Sequence, residues 1–292
     1  MLEPWRRLLD PVFLGLENVP SERPLLFVGN HTLYGLWDIP LMIAELYWRQ
    51  GIFLRSLGDH VHFQLPLWRE MMSLYGVVDG TRQNCAQLMQ QGECILVFPG
   101  GGREVAKRKG ERYALFWKDR TGFARLAIRH RCTIIPFSAV GIDDALTVLY
   151  DADDMFNSPL GPLLAMSGVR REVLLPLVRG VGPTPVPRPE RLYFRFGEPI
   201  TTREFAGRSH DGAACCELRN RVKRAVEEGV HTLLSFRAND PHRHFAPRLV
   251  RDVRRWWLAR AGPRQPASAR AEPGGEPAEP LPQRRSWDVD AA

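Results

Sequence analysis

Short apolar runs alternate with amphipathic stretches through the first half of this chain, and that alternation restricts the fold more than any other feature of the sequence. Pro24-Leu-Leu-Phe-Val-Gly29, Ile52 to Ser56, Gly76-Val-Val-Asp79, Cys94-Ile-Leu-Val-Phe98 and Thr133-Ile-Ile-Pro-Phe137 read as strands. Arg191-Leu-Tyr-Phe-Arg-Phe196 is a late strand by its aromatic content. Between them the spacing predicts a helix from Ile39 to Gln50, with Pro40 in its first turn and Gly51 as its stop. Further helices are expected around Pro66 to Tyr75, Thr81 to Gln91, Gly122 to His130 and Cys216 to Phe236. The pattern implies an α/β domain, its central sheet mostly parallel or mixed and flanked by helices.

The edges of that domain show as shifts in composition. Residues 1–20 hold Trp5, Leu8, Leu9, Val12, Phe13 and Leu16 among Arg6 and Arg7, an amphipathic segment broken at Pro11 that could dock on the core or lie on a membrane. The domain itself is expected over 21–245. A basic helix follows over 246–261, where Leu249, Val253, Trp256 and Trp257 share a face against Arg248, Arg251, Arg254 and Arg255. Such a helix suits either a bilayer interface or packing on the core. Residues 262–292 contain six prolines and three glycines, and that composition is expected to stay disordered.

Forty Lys and Arg against thirty-three Asp and Glu give a net charge of +7, which favours anionic partners. Five cysteines without a C-x-x-C spacing support neither a disulfide framework nor a zinc ribbon and fit a reducing compartment. The opening Met1-Leu-Glu-Pro-Trp-Arg-Arg lacks the marks of a secretory signal, so the protein is expected not to be secreted. Residues 32–48 are the most apolar window, but Asp38, Pro40 and Glu45 interrupt it, so any membrane contact should be peripheral.

Two places could carry chemistry. In Asn30-His31-Thr-Leu-Tyr-Gly-Leu-Trp-Asp38 a His follows a buried strand and an acid comes seven positions later. If Asp38 accepts a hydrogen bond from one ring nitrogen of His31, the other nitrogen can take a proton from a substrate hydroxyl. Seven residues of helix rise about 10.5 Å, so the loop must fold back, and Gly35 permits this. Equally, Asp38 can be the N-cap of the following helix, and His31 a buried residue bonded to backbone. The second place is Phe98-Pro-Gly-Gly-Gly-Arg-Glu104, where Gly100, Gly101 and Gly102 bare backbone N–H groups and Arg103 could grip an anion. From Arg103 to Arg131 there are ten cations and three acids, either a site or a solvated face. His60 and His62 lack partners for a metal, and Asp143, Asp144, Asp151, Asp153 and Asp154 lack a calcium-binding spacing and read as a solvated loop.

Taken together, Leu26-Phe-Val-Gly-Asn-His-Thr-Leu-Tyr-Gly35, Phe98-Pro-Gly-Gly-Gly-Arg-Glu104, Phe116-Trp-Lys-Asp-Arg-Thr-Gly-Phe-Ala-Arg-Leu-Ala127 and Arg191-Leu-Tyr-Phe-Arg-Phe-Gly-Glu-Pro-Ile200 resemble the glycerolipid acyltransferase superfamily. Within it the likeness is to the branch of phytyl ester synthases and type 2 diacylglycerol acyltransferase relatives. The resemblance implies that His31 is a general base with Asp38 as its orienting partner, and that Gly100, Gly101, Gly102, Arg103 and Glu104 line a substrate pocket. Two departures stand out. Six residues separate His31 from Asp38 where four are common, and Gly100 occupies the position of the common Glu.

The implied activity moves a fatty acyl group from acyl-CoA or acyl carrier protein to a lipid hydroxyl such as diacylglycerol, a lysophospholipid or a long-chain alcohol. No cofactor or metal is called for, and the expected place is the cytoplasmic side of an anionic membrane surface. The phytyl ester synthases carry a hydrolase-like region ahead of the transferase part, and with no room for one here only transferase chemistry is expected. The stretched spacing motivates an alternative, a catalytically inactive lipid-binding protein. Nucleic-acid binding would explain the charge but has no recognition motif in support.

Overall fold

The computed structural model describes residues 2–64 and 66–260. The elements run α1 (Glu3–Leu9), β1 (Val12–Leu14), β2 (Leu25–Gly29), α2 (Ile39–Gln50), β3 (Leu54–Gly58), α3 (Pro66–Leu74), β4 (Val78–Asp79), α4 (Arg82–Gln90), β5 (Cys94–Val97), α5 (Gly102–Val105), α6 (Gly122–Arg129) and β6 (Thr133–Val140). They continue with α7 (Ile142–Ala145), β7 (Thr147–Tyr150), α8 (Ala152–Phe156), α9 (Gly161–Met166), β8 (Leu177–Arg179), β9 (Tyr193–Phe196), α10 (Gly212–Ala238) and α11 (Phe245–Arg260).

Seven strands form one sheet in the order β1-β9-β6-β2-β5-β3-β4. All neighbours pair in parallel except β6 and β9. The sheet is thus mixed and mostly parallel, with helices on both faces. Alternation along β2 shows why: Leu25 and Phe27 join a core containing Leu41, Met42 and Leu46 of α2. Leu26 and Val28 join the opposite core, with Leu88 of α4, Phe123 of α6 and Leu218 and Val222 of α10. A strand covered on both faces has no solvent side, so its sequence is apolar throughout.

Local signals explain the helix ends. Asp38 stands at the start of α2 with Pro40 in the first turn, and Gly51 closes the helix in a left-handed conformation. Thr81 caps α4 by accepting from the Asn84 N–H at 3.1 Å.

The structure departs from the sequence reading in the amino-terminal segment and between β6 and β9. The break at Pro11 separates α1 from β1, and β1 adds to the sheet edge with Phe13 stacked on Phe194 at 4.8 Å. Between β6 and β9 the chain makes an excursion, α7 to β8, with its own two-stranded ladder. Its helices span four to six residues, too short for periodicity to reveal.

The chain divides into a compact unit, Met1–Val250, and a second unit from Arg251 onward. The described part of the second unit is the end of α11, where the Arg260 guanidinium lies 4.0 Å from the centroid of the Trp256 ring. The tail expected over 262–292 lies outside the described residues. Among the described residues no helix is long and apolar enough to cross a membrane.

Candidate active site

Strands β2, β5 and β6 run in parallel, so the loops that leave them emerge at one edge of the sheet, the usual position of sites in α/β folds. The first loop carries His31, the second is the Gly-rich segment, and the third leads into α7 with Asp143. Asn30 fastens the first loop to β6: its side-chain amide donates to the Ala139 carbonyl at 2.9 Å and accepts from the Ala139 N–H at 2.8 Å.

The backbone of His31 is held at both polar groups by the segment after the Gly-rich loop. Its N–H donates to Glu104 Oε2 at 2.8 Å, and its carbonyl accepts from Lys107 Nζ at 2.8 Å. Lys107 also donates to Asp143 Oδ2 at 2.6 Å, and Asp143 in turn accepts from the N–H groups of Leu33 and Tyr113. Glu104, Lys107 and Asp143 are all buried. Their charges are tolerable there because each is paired or hydrogen-bonded, and stripping one partner from such a pair costs about 3–5 kcal/mol.

The His31 ring packs on Phe98 at 4.1 Å between centroids. Its other neighbour is Gly35, where a Cβ would fall 1.7 Å from the ring Cε1. Gly35 also has φ +59, so the fold-back anticipated for this loop requires glycine twice over, for conformation and for space. Nδ1 lies 3.3 Å from the Thr32 carbonyl. In the tautomer that donates this bond, Nε2 keeps its lone pair. Burial, aided by the Lys107 charge, lowers the His31 pKa to about 3, so the ring is neutral at ordinary pH.

Asp38 is not bonded to His31. It is buried, and its Oδ2 accepts from the Thr32 hydroxyl at 2.8 Å while Oδ1 has no hydrogen-bond partner. Burial raises its pKa to about 6 despite the Thr32 hydrogen bond. It occupies the N-cap position of α2 without a capping hydrogen bond. Thr32 therefore links the two residues that the resemblance implied as a direct pair.

In the Gly-rich segment, Arg103 donates to Glu111 Oε1 at 2.5 Å and stacks 4.0 Å from the Phe116 centroid, with little surface exposed. Glu104 is wholly buried and its second oxygen accepts from the Phe116 N–H. Both side chains are thus engaged inside the protein, and the cation at the outer side of the loop is Arg120, which donates to the carbonyls of Pro99 and Gly100. Lys107, Asp143, Thr32 and Arg120 were missed in the sequence because each looks like one residue within a charged or polar run.

The acidic run is a correction to the sequence reading: it is no solvated loop. Asp143 pairs with Lys107, Asp144 with Arg112, Asp153 with Arg108 and Asp154 with Lys109, while Asp151 caps α8. Adding Arg103 with Glu111 and Lys118 with Glu172, six of the ten cations between 103 and 131 face carboxylates of this chain. Lys107, Arg108, Lys109, Arg112 and Asp143 line a cavity of about 170 Å³ beside Leu33 of the His31 loop. His60 and His62 fall on a 3-10 turn, His60 pairing with Asp79 at 2.9 Å and His62 accepting from the Trp68 indole.

Residues 11–140 match the family model described as acyltransferase. The chain is 32% identical over 262 residues to phytyl ester synthase 2 of Arabidopsis thaliana, covering 84% of this chain and 37% of that protein. Phytyl ester synthase 1 of the same plant is 29% identical over 253 residues, covering 80% and 36%. The chain thus spans a little over a third of the length of these relatives. The crystal structure of the 1-acyl-sn-glycerophosphate acyltransferase PlsC of Thermotoga maritima superimposes with a TM-score of 0.46 at 17% identity, covering 80% of this chain and 79% of that one. The acyltransferase match lies over both site loops and the plant relatives match most of the chain, so residues 11–140 belong to the acyltransferase family and the chain is similar to the phytyl ester synthases over the part of their length that it spans.

Proposed function

We propose that the domain transfers an acyl group from a thioester, acyl-CoA or acyl carrier protein, to a lipid hydroxyl, with His31 as general base. The observation that carries this reading is the His31 site itself. A neutral imidazole sits at the carboxyl edge of the sheet opposite the Gly-rich loop, backbone held at both ends, with Nδ1 against a carbonyl. In this reading Nε2 takes the hydroxyl proton as the oxygen attacks the thioester carbonyl. The tetrahedral intermediate expels the thiolate, which recovers that proton from the imidazolium. A site that depresses the His31 pKa makes the imidazolium a strong acid and favours this second transfer. Asp38 acts through Thr32, orienting the carbonyl-bearing residue on which Nδ1 rests.

The activated thioester drives the chemistry, so no resident cofactor or metal takes part. The plant relatives are phytyl ester synthases by name, which makes a long-chain alcohol the first acceptor to try, ahead of diacylglycerol and lysophospholipids. We place the protein peripherally, on the cytoplasmic side of an anionic membrane, with the Trp-bearing α11 as the contacting helix; the apolar residues of α1 pack on the core instead.

A second reading, a catalytically inactive lipid-binding protein, is favoured by one observation: Asp38 is engaged by Thr32, and the His31 ring rests on a backbone carbonyl in place of that carboxylate. One experiment separates them. Purified protein is incubated with acyl-CoA or acyl carrier protein thioesters and a panel of lipid alcohols, following thiol release and ester product beside His31→Ala. Acceptor-dependent ester that disappears in the folded variant supports transfer; absence of ester with every donor and acceptor refutes it.

A further inference from the structure

We infer that Glu104 is a positioning residue for His31, and that Gly100 is small so that the Glu104 carboxylate can occupy the space beside it. Three observations converge. Glu104 has no exposed surface, and its two oxygens are divided between two loops, Oε2 accepting from the His31 N–H and Oε1 from the Phe116 N–H, each at 2.8 Å. A Cβ at residue 100 would lie 2.0 Å from the Glu104 carboxyl carbon and 2.2 Å from Oε1. The carboxylate cannot yield, because both amides pin it. A side chain at 100 and the present place of Glu104 therefore exclude one another.

Residue 100 and the first turn of α5 thus address one space, and the acid that fills it comes from α5, four residues later. Glu104 does not contact substrate in this assignment. It holds the backbone that carries His31, and a shift of about 1 Å at a reacting group can cost about 100-fold in rate. A carboxylate suits the task better than an amide. Each of its oxygens can accept from one loop, whereas a glutamine would turn an NH2 group toward one of the two N–H donors.

The catalytic consequence rests on the function proposed above, so the test pairs a structural readout with a kinetic one. In Glu104→Gln, hydrogen exchange resolved at single amides should quicken at His31 and Phe116 while remaining unchanged at Ile135 in the centre of β6. In the same variant kcat should fall by about 10–100-fold with KM within about twofold, the signature of lost positioning. Placing Asp or Glu at 100 in the Glu104→Gly background, as Gly100→Asp and Gly100→Glu, should recover at least about fivefold of the activity lost by Glu104→Gly, since the acid would re-enter from the other side.

Unchanged exchange at both amides in Glu104→Gln would overturn the assignment, and so would a raised KM at constant kcat, which marks a substrate contact. Failure of both replacements at 100 to recover activity would overturn the exchange of roles. If Glu104→Gly does not fold, exchange in Glu104→Gln decides alone. If the protein transfers no acyl group at all, exchange at the two amides still tests the positioning, so the two proposals fail separately.

Discussion

At the carboxyl edge of the sheet Lys107 and Asp143 meet at 2.6 Å with almost no surface exposed. At the amino edge Arg23, Arg131 and Arg203 line an open cleft of about 460 Å³, where Arg203 approaches Glu22 only to 3.8 Å with both side chains more than four-fifths exposed. Both ends are basic by count, yet only one uses its charge to organise structure. A buried pair fixes loop backbone because neither ion has water to fall back on; an exposed pair is screened and contributes little. The surplus of +7 therefore does not mark the site, since the site's own cations are largely neutralised from within.

Substitutions at the two edges test this contrast. The largest effect is expected at the reacting group: His31→Ala should lower kcat by about 10²–10⁴-fold, read by thiol release on a variant whose circular dichroism matches the parent. Lys107→Met should destabilise the protein by about 3–5 kcal/mol in urea unfolding, since it strands the Asp143 carboxylate and frees the His31 carbonyl. A cost below about 1 kcal/mol would show that the buried pair does not organise the loop.

Asp38 gives a pH-dependent effect of intermediate size. Its pKa rises from 3.8 to about 6 in the folded protein, so the fold holds the proton more tightly than the unfolded chain does. Stability from this group is gained as pH falls from 6 toward 3.8, and the full burial penalty stands above 6. Asp38→Asn should therefore be more stable than the parent at pH 8 by up to about 3 kcal/mol, with the difference fading by pH 4. His31 has the opposite sign: its pKa drops from 6.5 to about 3, so its contribution is lost as pH falls through that range. His31→Gln should remove that acid loss, and denaturant melts at stepped pH measure both. The smallest effect belongs to the amino edge, where Arg131→Met should change stability by no more than about 0.5 kcal/mol by the same melts. An effect there as large as at Lys107 would erase the distinction.

Much of the framework was legible. The strands β2, β5 and β6 and the helices α2, α4 and α6 lie where apolar runs, Pro40, Gly51 and Thr81 indicated, because those signals act within a few residues. His31, Gly35 and the Gly-rich loop were also visible, since a loop that leaves a buried strand is marked on both sides. The partners of His31 were not. The sequence offered Asp38 either as its direct neighbour or as the N-cap of the next helix; Asp38 takes the N-cap position and meets Thr32, while Glu104 and Lys107 reach His31 from more than seventy residues away. The acidic run looked solvated because nothing local shows that the basic stretch folds against it.

Periodicity, caps and turn residues are short-range properties, so the α/β class, the order of the main elements and the two loops that could hold chemistry can be read along the chain. Which charges neutralise one another, which acid holds His31 and what room is left at Gly100 emerge from the folded arrangement alone. Those outcomes depend on which strands lie side by side, and burial makes each pairing obligatory only after the sheet has brought its loops to one edge.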